Sequence, residues 1–231
     1  MTWLDDLVHH AQGLDGTQAQ EALWARGASN DQIVRHQVGF LNSPLPSFVP
    51  KEFQLWWAGR KLDNAFLFPL TDALGCVRGF QFRSIDQAVR GYHDYVVDRN
   101  VLCSFGLGVT APIIWAAQRA VLVEGVFDFF PVERVFPETA AVLGLSPSRL
   151  MLRFLRRMVS DIVLLADADL EGRRAVRRFQ DHYGSEFRIH DVCLRVARKR
   201  GGMTKDPGEL WEELGDAELR RLFAGAGVVS I

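Results

Sequence analysis

From Ala120 onward the chain alternates short, almost wholly apolar runs with helical patterns, and this constrains its fold more than any other feature. Ala120–Glu124, Thr139–Leu143, Asp161–Ala166 and Phe187–Val196 read as strands. Between them, Phe127–Val135 and Gly172–Tyr183 read as helices, as does a segment capped by Ser146, opened by Pro147 and reaching Val159. A strand that is apolar at nearly every position has no face left for water. Such strands belong in a parallel sheet covered by helices on both sides.

The chain before Ala120 is patterned differently. Residues 1–40 read as helical: Gln18–Arg26 ends at Gly27, and Ser29 caps a further helix ending near Gly39. Ser43–Pro50 carries three prolines and reads as a connector. Ala65–Leu70 and Cys76–Arg83 read as a hairpin across a turn at Asp72–Gly75. Tyr92–Val97 reads as a further strand and Ile113–Arg119 as a short helix, while Pro207–Phe223 reads as a closing helix. The expected fold class is α+β. A mixed α/β N-terminal subdomain (1–112) precedes an α/β module with a short parallel sheet flanked by helices (113–203), and a short helical tail follows (204–231).

Composition narrows the setting. At 48% hydrophobic and 24% charged, the chain can bury an ordinary core. No apolar run reaches the roughly 18 residues of a membrane span. The first ten residues carry Asp5 and Asp6 rather than a secretory pattern. Cys76, Cys103 and Cys193 are far apart, which argues against a zinc ribbon or a disulfide framework and for a reducing, cytoplasmic setting. The net charge of −1 hides an asymmetry: Ser146–Lys205 holds 14 Lys/Arg against 7 Asp/Glu, and Asp206 to the C-terminus holds 6 acidic residues. A basic segment that also contains an acidic cluster points to a polyanion partner and a cation site. A solvated helix face is the plainer account of the same charges.

Glu124 ends the first apolar strand and is followed by Gly125, with Asp128 one helical turn on. Asp167 and Asp169 follow the third strand, with Gly172 opening a helix. Ligands of open parallel sheets bind outside the carboxyl ends of the strands. Neighbouring strands would bring Glu124 to the Asp167/Asp169 pair, where mutual repulsion calls for a counter-ion. Carboxylate oxygens suit Mg²⁺ or Mn²⁺, and Gly125 and Gly172 would let backbone and phosphate come close. Asp169, just ahead of Leu170, reads equally well as a helix cap.

These residues resemble a known family. Leu122-Val-Glu-Gly125 with Asp128, Val142-Leu-Gly-Leu-Ser146, and Leu164-Leu-Ala-Asp-Ala-Asp-Leu-Glu-Gly172 resemble the TOPRIM motifs of DnaG-type primases. Ala22–Ser29, the hairpin Phe66–Phe80 with Arg83, and Lys205-Asp-Pro207 resemble further primase-core segments, so the similarity covers roughly residues 20 to 210. The resemblance implies primer RNA synthesis on single-stranded DNA from nucleoside triphosphates, with two or more Mg²⁺ or Mn²⁺ ions and no zinc. It assigns Glu124 as general base or metal ligand, Asp167 and Asp169 as catalytic metal ligands, Asp206 as a further metal ligand, and Asp128 as support for the first carboxylate or a ligand of phosphate-associated metal.

On the same footing, Arg83 would contact phosphate, with Arg60, Lys61, Arg173, Arg174 and Lys205 as further nucleotide or nucleic-acid contacts. Arg78 and Arg90 read as solvated surface, and Trp56 and Trp57 as core rather than base-stacking residues. Two departures stand out. Gly208 takes the place of the family's second acidic residue, with Glu209 next, and Val101–Gly108 lacks the family's lysine. Zinc-binding and helicase-binding regions have no counterpart, which implies a reduced core of phage or mobile-element type, or one served by a helicase or other replication protein. A TOPRIM nuclease and a non-catalytic nucleic-acid-binding subunit are the competing readings.

Overall fold

The computed structural model describes residues 2–13, 18–86, 88–89, 91–144, 146–192 and 206–228. The chain divides into two compact units, residues 1–24 with 29–108, and residues 25–28 with 109–231.

The first unit is an antiparallel sheet under helices. Its helices are α1 (Trp3–Ala11), α2 (Gln18–Ala25), α3 (Asn30–Arg35) and α4 (Lys51–Gly59). Its strands are β1 (Gly39–Asn42), β2 (Asn64–Thr71), β3 (Val77–Ser84), β4 (His93–Val96) and β5 (Ser104–Phe105). The order is β1-β2-β3-β4, with β5 added against the end of β2. The expected hairpin is β2–β3: Phe66 lies opposite Arg83 and Phe68 opposite Gln81, with a register shift at Leu70/Thr71 beside the turn. Alternation sends Phe80, Phe82 and Tyr95 to one face. There they pack with Trp3 and Phe53; the Phe53 and Tyr95 ring centroids are 4.8 Å apart, edge to face. Leu4, Leu7 and Val8 of α1 complete this core.

Several expectations for this unit need correction. The helix capped by Ser29 stops at Arg35, and Gly39 opens a strand rather than closing a helix. α4 follows directly on Pro50, because proline loses nothing just before the first turn of a helix. It buries Phe53 and Trp57 on one face, so the tryptophan pair is core, as expected, with Trp56 partly covered. Arg78 is not merely solvated: its Nε donates to Asp72 Oδ2 at 2.7 Å.

α5 (Leu107–Ala117), most of which lies in the second unit, starts six residues before the expected position and carries Pro112 inside it. There follow β6 (Arg119–Val123), α6 (Val126–Glu133), β7 (Thr139–Ala141), α7 (Arg149–Met158), β8 (Asp161–Leu165), α8 (Leu170–Tyr183), β9 (Arg188–Asp191) and α9 (Pro207–Gly225). The sheet is parallel throughout, in the order β7-β6-β8-β9. β6 and β8 are central and buried from their second residue on, as their apolar runs require.

α7 is capped by Ser148, not Ser146: the Ser148 hydroxyl accepts the Met151 N–H at 3.1 Å, leaving Pro147 ahead of the cap. The phase is set by Met151, Leu152 and Leu155, which must face the sheet. The last expected strand is described only to Val192. Lys205 and Cys193 lie outside the described residues. α9 is broken at Gly215, whose φ of 74° is open to glycine and costly for other residues.

Candidate active site

Strand order decides where a site can form. From β6 the chain steps one way to β7, then crosses back past β6 to β8. The connections therefore leave in opposite directions at the β6–β8 boundary, and a crevice opens there outside the strand ends. Val123 pairs with Leu165 at the ends of these strands, so Glu124 emerges level with Ala166, next to Asp167. The two tips interact: the Asp167 backbone N–H favours the ionised form of the Glu124 carboxylate.

The other carboxylates arrive from nearby helix starts. Asp128 sits in the first turn of α6, and its Oδ2 accepts the Gly125 N–H at 3.2 Å. Asp169 is the N-cap of α8, with Oδ1 accepting the Gly172 N–H at 2.8 Å. The cap reading of Asp169 thus holds. It occupies one part of a carboxylate that has about four acceptor positions, so ligation remains open to it. Asp206 is the N-cap of α9, its Oδ1 accepting the Glu209 N–H at 2.7 Å. Asp206 Oδ1 and Asp128 Oδ1 lie 3.3 and 3.8 Å from the position a β-carbon on residue 208 would take.

Charge repulsion within this group is strong. Asp167 is pushed up to about 7, first by burial and then by Glu124, Asp206, Asp169 and Glu209. Asp128 is held well above the usual carboxylate range by burial and by Asp206, Asp167 and Glu124. Glu124 is raised by burial and by Asp169 and Asp206, against the lowering effect of the Asp167 N–H. No ion pair between described residues involves Glu124, Asp128, Asp167, Asp169 or Asp206. The effect of Glu209 on Asp167 was not foreseen from sequence; its place in the first turn of α9, three residues after the Asp206 cap, is the signal that could have revealed it.

Carboxylates that repel one another, with no cation paired to them among the described residues, are a donor set for hard divalent ions. Among the described residues, no three such groups already stand at ligating distance of a common point. Side-chain rotation would have to close the cluster on an ion.

Gly172 allows the close backbone approach that its sequence position suggests. A β-carbon there would lie 2.1 Å from the Asp167 carbonyl oxygen. The residue keeps the start of α8 against the backbone of the Asp167 turn.

The basic residues fall in two places. In the first unit, Arg60 and Arg83 both bear on His93, which is lowered first by burial and then by Arg60. The Arg60 guanidinium lies 4.3 Å from the Trp56 ring centroid, and that of Arg83 lies 5.2 Å from the ring centroid of Tyr92. Lys61 is exposed beside them in sequence. In the second unit, Arg173 and Arg174 are exposed in the first turns of α8, and Arg173 Nε approaches the Asp169 carbonyl at 3.4 Å.

With this geometry in hand, the similarities to known proteins fall into place. Residues 121–210 match the family described as Toprim-like. DNA primases of Chlamydia trachomatis and Chlamydia muridarum are each 28% identical to the chain over 90% of its length. The chain spans 37% of the length of either. The zinc-binding and RNA polymerase domains of Aquifex aeolicus primase superpose with a TM-score of 0.75 at 22% identity, covering 96% of this chain and 59% of that one. The RNA polymerase domain of Mycobacterium tuberculosis DnaG gives 0.75 at 20% identity over 96% of this chain and 81% of its own. The stretch similar to the Toprim-like family coincides with the parallel sheet and the strand ends that carry Glu124 and Asp167. Taken whole, the chain has the fold of a DnaG-type primase catalytic core and is similar in sequence to bacterial DNA primases.

Proposed function

We propose that the chain is the catalytic core of a primase, joining nucleotides into an RNA primer on a single-stranded DNA template with Mg²⁺ or Mn²⁺. The observation that carries this is the meeting of Glu124 with Asp167 at the β6–β8 switch point, ringed by Asp128, Asp169 and Asp206. Glu124, Asp167 and Asp169 would hold the ions, with Asp206 and Asp128 in support. Ions bound there would offset charge on the transferring phosphoryl group and lower the pKa of the attacking hydroxyl.

The chain's own groups do the positioning. The Asp167 N–H favours the ionised form of the Glu124 carboxylate, the form that would hold an ion. Arg173 and Arg174, beside the cluster, suit the triphosphate. Arg83, Arg60 and Lys61 suit template phosphates, and Lys205 is assigned to the nucleotide on sequence resemblance alone. One solved relative, a DnaG primase catalytic domain, is described as bound to single-stranded DNA, which supports that template.

The test is incorporation of labelled nucleotides on single-stranded DNA with either ion, comparing wild type with Glu124→Gln and Asp167→Asn. Both variants should lose at least about a hundredfold in rate. Equal activity in all three would reject the assignment, and template cleavage without nucleotides would favour a nuclease. A helicase or other replication partner belongs in a second arm of the assay.

A further inference from the structure

α7 and α8 lie side by side on one face of the parallel sheet. The steps from β7 to β8 and from β8 to β9 run the same way across the sheet, and the step from β6 to β7 runs the other way. Right-handed crossovers therefore put α7 and α8 together on one face and α6 on the opposite one. Arg156 of α7 pairs with Glu186, just beyond α8, and lies 5.9 Å from the Tyr183 ring centroid.

The outer side of this helix pair is basic to an unusual degree. Every exposed residue of α7 is an arginine: Arg149, Arg153, Arg156 and Arg157. α8 adds Arg173 with Arg177, and Arg174 with Arg178, each pair four residues apart and exposed, against Glu171 and Asp181. Among the ion pairs between described residues, only Arg156 of this set has a carboxylate partner. Eight like charges on two adjacent helices repel one another at a cost to stability, with little return for a merely solvated face.

The spacing identifies the ligand. Arg149 to Arg157 spans about 12 Å of helix, and packed helix axes lie roughly 10 Å apart. Two arginine rows at that separation match phosphate rows flanking a duplex groove, which is roughly 6 to 12 Å wide. Over about 12 Å a duplex presents roughly seven phosphates, close to the number of arginines. Single-strand surfaces interleave cations with exposed aromatic rings for stacking bases. Here the exposed residues of both helices include no phenylalanine, tyrosine or tryptophan.

We propose that the outer face of α7 and α8 is a sequence-independent docking surface for a nucleic-acid duplex, held by its phosphates. Under the primase reading that duplex is the primer–template product, but the binding chemistry does not depend on catalysis.

The test is fluorescence-anisotropy binding of a mixed-sequence 20-base-pair DNA duplex, an RNA–DNA hybrid of the same length, and oligo-dT, in EDTA without nucleotides, across a salt series. The variant R153Q/R157Q/R177Q/R178Q removes four charges while leaving Arg173 and Arg174, and glutamine keeps the helix propensity of arginine. Duplex affinity should fall at least tenfold at 100 mM salt. The slope of log affinity on log salt should flatten by about 2 to 4, while oligo-dT binding changes less than twofold. Loss on the hybrid alone or on DNA alone names the duplex concerned, and either result supports the surface. The pair R153Q/R177Q should show about half the slope change, and replacement of the four by lysine should restore it, so a folding defect in the larger variant cannot hide the answer. Unchanged duplex binding overturns the proposal. Equal loss on oligo-dT, or tighter binding of an oligo-glutamate peptide than of either duplex, overturns it too. Because no metal or nucleotide is present, an inactive cluster at Glu124 would leave this result standing, and the reverse also holds.

Discussion

Replacing Asp167 by asparagine should stabilise the metal-free protein at neutral pH. Asp167 titrates at about 7 in the folded chain against a reference of 3.8. The folded state therefore holds this proton more tightly than the unfolded state does. Below pH 4 both states are protonated and the group costs nothing. As pH rises from about 4 to about 7, the folded state alone retains the proton, and stability falls until the group ionises. At about 1.4 kcal/mol per pH unit, the ceiling on this loss is about 4 kcal/mol. The side chain is partly open to solvent and shares its titration with Glu124, which brings the expected effect to roughly 1–3 kcal/mol. Asparagine keeps the shape and never ionises. Thermal melts in EDTA should show Asp167→Asn above wild type at pH 8 by about 2–4 °C for each kcal/mol gained. The curves should converge near pH 4, and added Mg²⁺ or Mn²⁺ should stabilise wild type far more than the variant. A variant less stable than wild type at pH 8, or a gap that does not change with pH, would refute the reasoning.

Cation binding to wild type should strengthen with pH, by about tenfold per unit below 7 and little above it, measured by calorimetry between pH 5.5 and 8.5. Gly172→Ala should cost about 2 kcal/mol or more in urea titrations, because its β-carbon meets the Asp167 carbonyl oxygen, and should depress nucleotide incorporation further by displacing that turn. Glu138→Ala should cost about 2 kcal/mol by removing the buried carboxylate that pairs with the half-buried Arg119 guanidinium. Arg119 starts β6, at the end remote from Glu124, so ion affinity should be unchanged in that variant.

The second unit was far more legible in the sequence than the first. Ala120–Glu124 and Asp161–Ala166 are apolar because both of their faces are covered, and an apolar run bounded by acidic residues marks a strand and its carboxyl tip together. The carboxylates at those tips were legible for the same reason. β1 was not, because four residues beginning with glycine carry too short an alternation to register. α4 was hidden behind three prolines, of which the last simply precedes its first turn. The start of α7 was misread because Ser146 and Ser148 are equal as caps in isolation, and only the facing of Met151 and Leu155 against the sheet separates them. The influence of Glu209 on Asp167 depends on where α9 returns to the sheet, a long-range fact that no local pattern encodes.

The carboxylates come from three stretches of chain, after β6, after β8 and ahead of α9, far apart in sequence and adjacent only once the parallel sheet has formed. An ion that bridges them acts as a clasp on the finished topology, since the unfolded chain offers it no comparable grip. Saturation at a hundred times the dissociation constant would add about 2.7 kcal/mol to the folded state. A cation bound there would thus also keep the returning helix α9 fastened, and depleting it should loosen that helix before the sheet.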